Sequence, residues 1–440
     1  MVKMDDTKKT NCQQAGQFTT PNTHFLMRFI PLFLLLLLPP ALVAQQLDYT
    51  TYIQRVMENN LDLAVARLDR SVAEAELLSA RQISDPAISA EYGNNSDWDI
   101  LMGQSLSFGI DKSFSLGKRA ARVRVARQQL DATDAALQHY LNTLRAEATL
   151  AFLDALLARD RAAIGEQSAQ YMRSLYRSDS LRHAAGDMSE LDVLQTLLEA
   201  DVAEQDYLSL MADYRNALVQ LDLLMAQPLQ TTVGVTGGLA DPSAVFSLPQ
   251  LLAGADTLRM DLAEHRLMAA AAESQVSLVR RERMPDIDLS LGVSLNTRVR
   301  NEEAPAPPFV GYTVGVGIPL PVSTLNRGEV RAAKHQARQA QLQADIVGRQ
   351  AQAEIIQAYN SYTTALGRLR SYDASIIEGA RQVLEGKQYA YHRGETSLLD
   401  LINAQHTYNE VRQAYAESLH DCMSAWVELQ RSAGVWNIQL

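Results

Sequence analysis

Residues 186–221 read GDMSELDVLQTLLEADVAEQDYLSLMADYRNALVQL, and residues 394–429 read GETSLLDLINAQHTYNEVRQAYAESLHDCMSAWVEL. Placed one over the other, they align Gly186 with Gly394, Ser189 with Ser397, Leu191 with Leu399, Asp192 with Asp400 and Gln205 with Gln413. The register holds through Tyr207 with Tyr415, Ala217 with Ala425 and Leu221 with Leu429. The chain is a duplication. Repeated supersecondary units bury their faces against their own copies, so any function must use one unit twice. A single catalytic centre has no such need.

Working outward, each glycine lies where a helix should end and reverse, since glycine is the usual residue just past a helix terminus. Each copy then reads as the tip and returning arm of an antiparallel helical hairpin. Proline is absent from Ala87 to Gln227 and from Val322 to the C-terminus, which leaves two tracts for unusually long helices. Heptads run through them: Val123, Leu130, Leu137, Leu144, Ala151 and Ala158 in the first; Ala337, Ala344, Ala351, Ala358 and Ala365 in the second, beside Ile355, Tyr362, Leu369, Ile376 and Val383. Sustained seven-residue periodicity predicts coiled-coil packing, and the alanines let neighbouring helices approach closely. A helix from Lys118 to about His183 would run roughly 100 Å at 1.5 Å per residue. Shorter helices over about 48–84 and 256–283 precede Pro86 and Pro285.

Between short and long helices the period changes to two. Ile287, Leu289, Leu291, Val293 and Leu295 alternate with small or polar residues, as do Val310, Tyr312, Val314, Val316 and Ile318. A weaker copy occupies the first half, with Ile88, Ala90 and Tyr92, then Leu106, Phe108 and Ile110. These are strands with one apolar face. Each has about the length a tilted membrane strand needs. Burial of that face beneath a helix would make a soluble protein; exposure to lipid would make a membrane barrel. Four strands cannot close a barrel, because the smallest have about eight. Several chains must then share it. NEEAPAPP, residues 301–308, reads as an outward loop.

Residues 29–38, FIPLFLLLLL, follow Arg28, and small residues at Ala41 to Ala44 suit signal cleavage near Gln45. Met27 fits the start of this signal better than Met1 does; residues 1–26 then read as an upstream mis-start or a disordered leader. The full chain carries a net charge of -11. Without the leader it is about -13, which gives no electrostatic reason to hold nucleic acid. Two clusters run against that average: Lys118, Arg119, Arg122, Arg124 and Arg127, and Arg327, Arg331 and Lys334. They suit either lipid phosphate at a membrane interface or ordinary helix ion pairs. Cys422 is the one cysteine beyond the signal, so no internal disulfide forms, and it reads as core filler. The histidines are scattered; no HExxH, paired-cysteine metal spacing or nucleophile elbow occurs, so no catalytic residue, cofactor or metal site is expected.

Several segments resemble the TolC-type outer-membrane efflux channels, in order and over nearly all the mature chain. YTTYIQRVMENNLDLAVARLDRSVAEAELLSARQISDPAI is similar to the family's first helix and SFGIDKSFSLGKRAARVRVARQQL to its strand-to-long-helix passage. IPLPVSTLNRGEVRAAKHQA is similar to the second-half counterpart and YHRGETSLLDLINAQHTYNEVRQAYAESL to the closing hairpin. The resemblance implies a mainly α fold with a small β part: duplicated coiled-coil hairpins and four membrane strands per chain, closing as a homotrimer into a twelve-stranded barrel above a periplasmic tunnel. On that basis residues 1–44 are leader and signal peptide. Residues 45–240 form the first repeat, with strands about 87–94 and 104–116, and residues 241–440 the second, with strands about 287–297 and 310–320.

It further implies a passive duct in the outer membrane. The duct would be fed by an inner-membrane pump, of the resistance-nodulation-division type, through a periplasmic adaptor protein. The tips that meet the adaptor would be Gly186, Asp187 and Ser189, with Gly394, Glu395 and Ser397. The periplasmic gate would involve Asp400, its first-half equivalent Asp192, and Tyr391 as aromatic partner. Three Asp400 carboxylates around one axis would repel, raise each other's pKa and attract cations. A solvated helix aspartate is the ordinary alternative, as plain helix-reversing glycines are for the tips. Thr396 stands where some members carry arginine, and Asn403 where a second aspartate ring occurs. A type I secretion duct and a soluble periplasmic adaptor or scaffold are the alternative functions.

Overall fold

The computed structural model describes residues 46–95, 101–239, 242, 245–319, 327–372, 374–436 and 438. The expected leader and signal, and most of the passage from the last strand to the second long helix, lie outside these residues. Two short helices open the first half, α1 (Tyr49–Asn59) and α2 (Leu61–Ala80). Strands β1 (Ala87–Asn94) and β2 (Gln104–Phe114) lead to the long α3 (Lys118–Ala184) and its return, α4 (Glu190–Leu224). The second half repeats this order with α5 (Leu248–Leu258), α6 (Met260–Glu282), β3 (Ile287–Asn296), β4 (Phe309–Gly317), α7 (Arg327–Ser371), α8 (Ala374–His392) and α9 (Leu398–Ala433).

The expected first helix is divided, because Asn60 turns its backbone to ψ 127°. Its Oδ1 accepts from the Leu63 amide (2.9 Å), capping α2, while Nδ2 donates to the Leu224 carbonyl (3.0 Å). Arg259 divides the corresponding second-half pair at ψ 115°. Its buried guanidinium donates to Asp261 (2.6 and 3.0 Å), to Glu354 (2.9 Å) and to the Ser432 carbonyl (3.0 Å). A buried polar side chain thus sits at each break; Asn60 caps the helix that follows it, whereas Arg259 ties its break to α7 and α9. Proline spacing could not anticipate either break.

The 67-residue α3 matches its expected length. Its second-half counterpart does not stay whole, since α7 ends at Ser371 and α8 starts at Ala374. Ser371 Oγ donates back to the Arg368 carbonyl (2.6 Å) and the Tyr372 amide to the Leu369 carbonyl (3.1 Å). These tightened i to i−3 bonds replace the α-helical ladder. The Tyr372 ring also meets Tyr415 on α9, with centroids 6.4 Å apart. Four of the five alanines of the heptad are buried, Ala337, Ala351, Ala358 and Ala365, and Ala344 is half-buried.

The four strands form one antiparallel sheet in the order β1-β2-β3-β4. Its central pair, β2 with β3, joins the two halves: Leu106 faces Leu295, Phe108 faces Val293 and Ile110 faces Leu291. The other two pairings keep the same parity, with Ile88 opposite Ile110 and Leu291 opposite Val314. Every apolar side chain of the two-residue period therefore lies on one face, with Ser, Gly and Thr dominating the other. No residue in any of the four strands is buried. Ile88 is 81% exposed and Tyr312 83%. The soluble alternative needed a cover over this face, and none of the described residues buries it. The β4 strand stops at Gly317, short of the expected 320, a position outside the described residues.

Five buried clusters hold the described helices, and three of them bear on the hairpins. One gathers Tyr49, Tyr52 and Val56 of α1 against Leu144, Phe152 and Leu156 of α3, Leu218 and Leu221 of α4, and Met423 and Val427 of α9. A second lies where Tyr362, Ala365 and Leu369 meet Cys422 and Leu429. The buried Cys422 is core filler, as its setting in the sequence suggested. The third lies at the hairpin tips: Met172 and Leu175 of α3, Ala200 of α4, Leu384 and Tyr391 of α8, and Leu398, Leu401 and Ile402 of α9. It binds the two copies of the duplicated hairpin to each other.

Candidate functional site

Both hairpins reverse through the same turn. At Gly186 (φ 85°) the Asp187 amide donates to the Arg182 carbonyl (2.9 Å); at Gly394 (φ 74°) the Glu395 amide donates to the Ala390 carbonyl (2.9 Å). This is the six-to-one bond of a Schellman ending, which requires the left-handed conformation that glycine tolerates best. The returning helices are capped alike. Ser189 Oγ accepts from the Asp192 amide, and Ser397 Oγ from the Asp400 amide, each at 3.2 Å. The duplicated residues at 186, 189, 192, 394, 397 and 400 thus carry first a structural duty, two identical helix reversals.

The two aspartates then diverge. Asp192 Oδ2 accepts from its own cap, Ser189 Oγ (2.9 Å). Asp400 Oδ2 accepts from Thr396 Oγ1 (2.9 Å) and faces Lys387 Nζ at 3.6 Å. The Thr396 hydroxyl, with Lys387 and the Ser397 cap beside it, holds the Asp400 carboxyl below the usual carboxylate range. Within one chain Asp400 is therefore a well-paired, exposed anion. Thr396 does not leave it without a cation, because Lys387 supplies one from α8.

Tyr391 bonds to neither of these carboxylates. Its hydroxyl donates to Asp179 Oδ2 (3.0 Å), on the last turns of α3, and Thr196 Oγ1 of α4 approaches the same oxygen (3.2 Å). Asp179 and Thr196 are fully buried, and Tyr391 nearly so. Arg182 lays its guanidinium over the Tyr391 ring, 5.3 Å from the centroid, and approaches Asp179 Oδ1 only to 3.9 Å. Burial pushes the Asp179 carboxyl above its ordinary pKa, opposed by the Tyr391 and Thr196 hydrogen bonds and by Arg182. Burial and the neighbouring Asp179 charge raise the Tyr391 phenol as well. This polar knot joins α3, α4 and α8 by side-chain hydrogen bonds at the tips, and it couples the two hairpins.

Sequence reasoning brought Tyr391 to this region and missed Asp179. A signal was present: the repeat alignment places Lys387 opposite Asp179, so the duplication exchanges a cation for an anion about two turns above each tip. Both residues serve the tips, Asp179 by holding Tyr391 across the hairpins and Lys387 by pairing with Asp400 within its own. Asp187 and Glu395 stand exposed at the turns, Glu395 within 3.9 Å of Arg393. Among the described residues no group of three or more His, Cys, Asp or Glu is placed to hold a metal ion. No described helix is long and apolar enough to cross a membrane.

Comparison with known proteins agrees with this architecture. The outer membrane efflux protein family matches residues 52–227 and again 251–435, once per half. The cobalt-zinc-cadmium resistance protein CzcC of Cupriavidus metallidurans is 23% identical over 382 residues, covering 86% of this chain and 87% of that protein. The pyoverdine export outer membrane protein OpmQ of Pseudomonas aeruginosa is 24% identical over 421 residues, covering 89% and 85%. Among solved structures, the outer membrane protein VceC of Vibrio cholerae superposes with a TM-score of 0.71 at 18% identity, over 88% of this chain and 96% of that one. With the family matching both halves of a duplicated, mainly helical chain that carries one four-stranded sheet, the chain belongs to the outer membrane efflux proteins and is an outer-membrane channel component.

Proposed function

We propose that three copies of this chain form the exit duct of a tripartite efflux system. The observation that carries this reading is the four-stranded sheet with a continuous exposed apolar face and two open edges, β1 and β4. An open edge invites pairing, and pairing β4 of one copy with β1 of the next closes a cylinder whose outside is apolar. Three copies supply twelve strands, within the even-numbered range of bacterial barrels. The two repeats, taken as residues 45–240 and 241–440, then contribute six hairpins per trimer to a tunnel below the barrel.

The duct does no chemistry and conducts passively. An inner-membrane pump of the resistance-nodulation-division class drives transport, and a periplasmic adaptor joins pump to channel at the tips, through the turns at Gly186 to Ser189 and Gly394 to Ser397. CzcC is named for cobalt, zinc and cadmium resistance and OpmQ for pyoverdine export. Cargo this diverse among relatives supports selection by pump and adaptor instead of by a ligand cluster in the duct. Asp400 and Asp192 face the axis as rings that attract cations, and the Tyr391 to Asp179 bond holds each tip closed.

The test is recording from the purified chain in planar bilayers together with its mass in detergent. A trimer that forms a cation-selective pore is expected. A monomer that stays soluble without detergent and forms no pore would overturn the reading. Blockade by multivalent cations should weaken in Asp400→Ala; unchanged blockade removes the ring from the gate.

A further inference from the structure

A polar cavity of about 590 Å3 lies where β2 gives way to α3. Among its lining residues are Arg119 and Arg122, one turn apart on the same face of α3, with Asp85, Ile83, Phe114 and Leu116. The three apolar members are exposed, Ile83 at 60%, Phe114 at 48% and Leu116 at 52%. Phe114 shares parity with Ile110 and Phe108, so the cavity opens beside the apolar face of the sheet. Lys112, on that same face, donates back to the Ser84 carbonyl, as a lysine does at the edge of a bilayer.

The charges at this junction are unequally paired. Asp286, also on the cavity wall, is taken by Lys118 at 2.9 Å. Arg119 Nε donates to the Arg81 carbonyl (2.7 Å), which fixes the side chain while keeping its charge. Neither Arg119 nor Arg122 has a carboxylate partner among the described ion pairs. Two guanidinium groups and one carboxylate outside the described ion pairs, Asp85, therefore share a cavity with an apolar mouth. An anion alone would meet Asp85, and an apolar guest would strand the arginines. A zwitterion with a tail satisfies all of them.

We propose that this cavity binds the headgroup of an aminophospholipid from the periplasmic leaflet of the outer membrane, of the phosphatidylethanolamine class. Arg119 and Arg122 take the phosphate, the geometry guanidinium groups favour. Asp85 takes the ammonium, and Ile83, Phe114 and Leu116 lie along the glycerol and upper acyl chains. The site rests on the barrel reading, because only that reading brings lipid to this face. Its consequence is a fixed depth for the strand-to-helix junction, set by a specific lipid as well as by the general interfacial pull on basic residues.

The test uses the full mature chain in maltoside micelles doped separately with phosphatidylethanolamine, phosphatidylglycerol or phosphatidylcholine, washed, and examined by native mass spectrometry. Wild type should retain phosphatidylethanolamine above the other two, and inorganic phosphate should not displace it. Arg122→Gln, which breaks no described contact, should weaken retention about tenfold, the loss expected for one charge-assisted contact. Arg119→Gln should do the same, and Asp85→Asn should erase the preference over phosphatidylglycerol. Equal retention by wild type and Arg122→Gln, displacement by free phosphate, or no preference among headgroups would each overturn the site. Planar-bilayer recording of the same samples separates the two readings. Pores without lipid retention reject the site alone, whereas a chain that forms no pore rejects the barrel itself.

Discussion

At the residue scale, position 226 shows how a repeat can retain a backbone conformation and change its side chain. Ala226 adopts φ 51°, and Gly434, its partner in the repeat register, adopts φ 72°. Both close the same Schellman ending, with Gln227 donating to the Asp222 carbonyl (3.0 Å) and Val435 to the Gln430 carbonyl (3.0 Å). Only the second copy is forced to be glycine by its surroundings, since a Cβ there would come within 2.9 Å of the Leu258 backbone. Ala226→Gly should therefore stabilise the chain by about 1 kcal/mol, by relieving the left-handed strain. Gly434→Ala should destabilise it by about 2 kcal/mol or more, through strain plus collision. Denaturant unfolding in detergent checks both, and equal and opposite effects would contradict the asymmetry. Asp179 belongs to this scale as well. The repeat alignment marked it as an exchange with Lys387, but its burial was illegible, because a lone aspartate on a long helix gives no sign of burial until α8 brings Tyr391 against it.

Elements carry the pH response of the tips. Asp179 has a native pKa above its unfolded one, so its contribution is complete below the ordinary carboxylate value near 4 and fades as pH rises through the raised value. Asp400 has a lowered native pKa, so its contribution is present above the ordinary value and fades as pH falls through the depressed one. The junction of α3, α4 and α8 should then loosen toward neutral pH, while the cap of α9 loosens in acid. Hydrogen exchange over residues 175–200 and 384–404 reads both. Asp179→Asn, which can still accept from Tyr391, should flatten the neutral-side loss, and an unaltered profile would remove Asp179 as its source. Tyr391→Phe leaves the buried acceptor short of a donor, at a cost of about 1–3 kcal/mol. It should also lengthen open times in single-channel records; wild-type gating in this variant would separate the knot from closure. The helices themselves were legible from proline spacing and heptads. Their breaks at Asn60 and Arg259 were not, because each has a partner on another helix, and the Ser371 break follows from local bonds that no proline or glycine announces.

For the whole molecule the decisive surface is the outward face of the sheet. Val314 is 73% exposed in the single chain and pairs with Leu291 near the middle of β4. Val314→Arg should cost about 2–4 kcal/mol per chain if that face meets the bilayer core. The expected result is loss of heat-stable trimers from outer-membrane extracts with far-ultraviolet helix content retained. Unchanged trimer yield would place lipid elsewhere. The sequence by itself determined the duplication, the hairpin tips, the long first helix and the two-residue alternation of the strands, because these are periodic and local. Only the tertiary structure decided that β2 pairs with β3 across the two halves, that no helix covers their apolar face, and that Asp179 is the carboxylate which Tyr391 holds. Both pairings join residues more than a hundred positions apart, the exposure of the face is a fact of the described helices' packing, and burial, unlike periodicity, exists only after such distant segments have met.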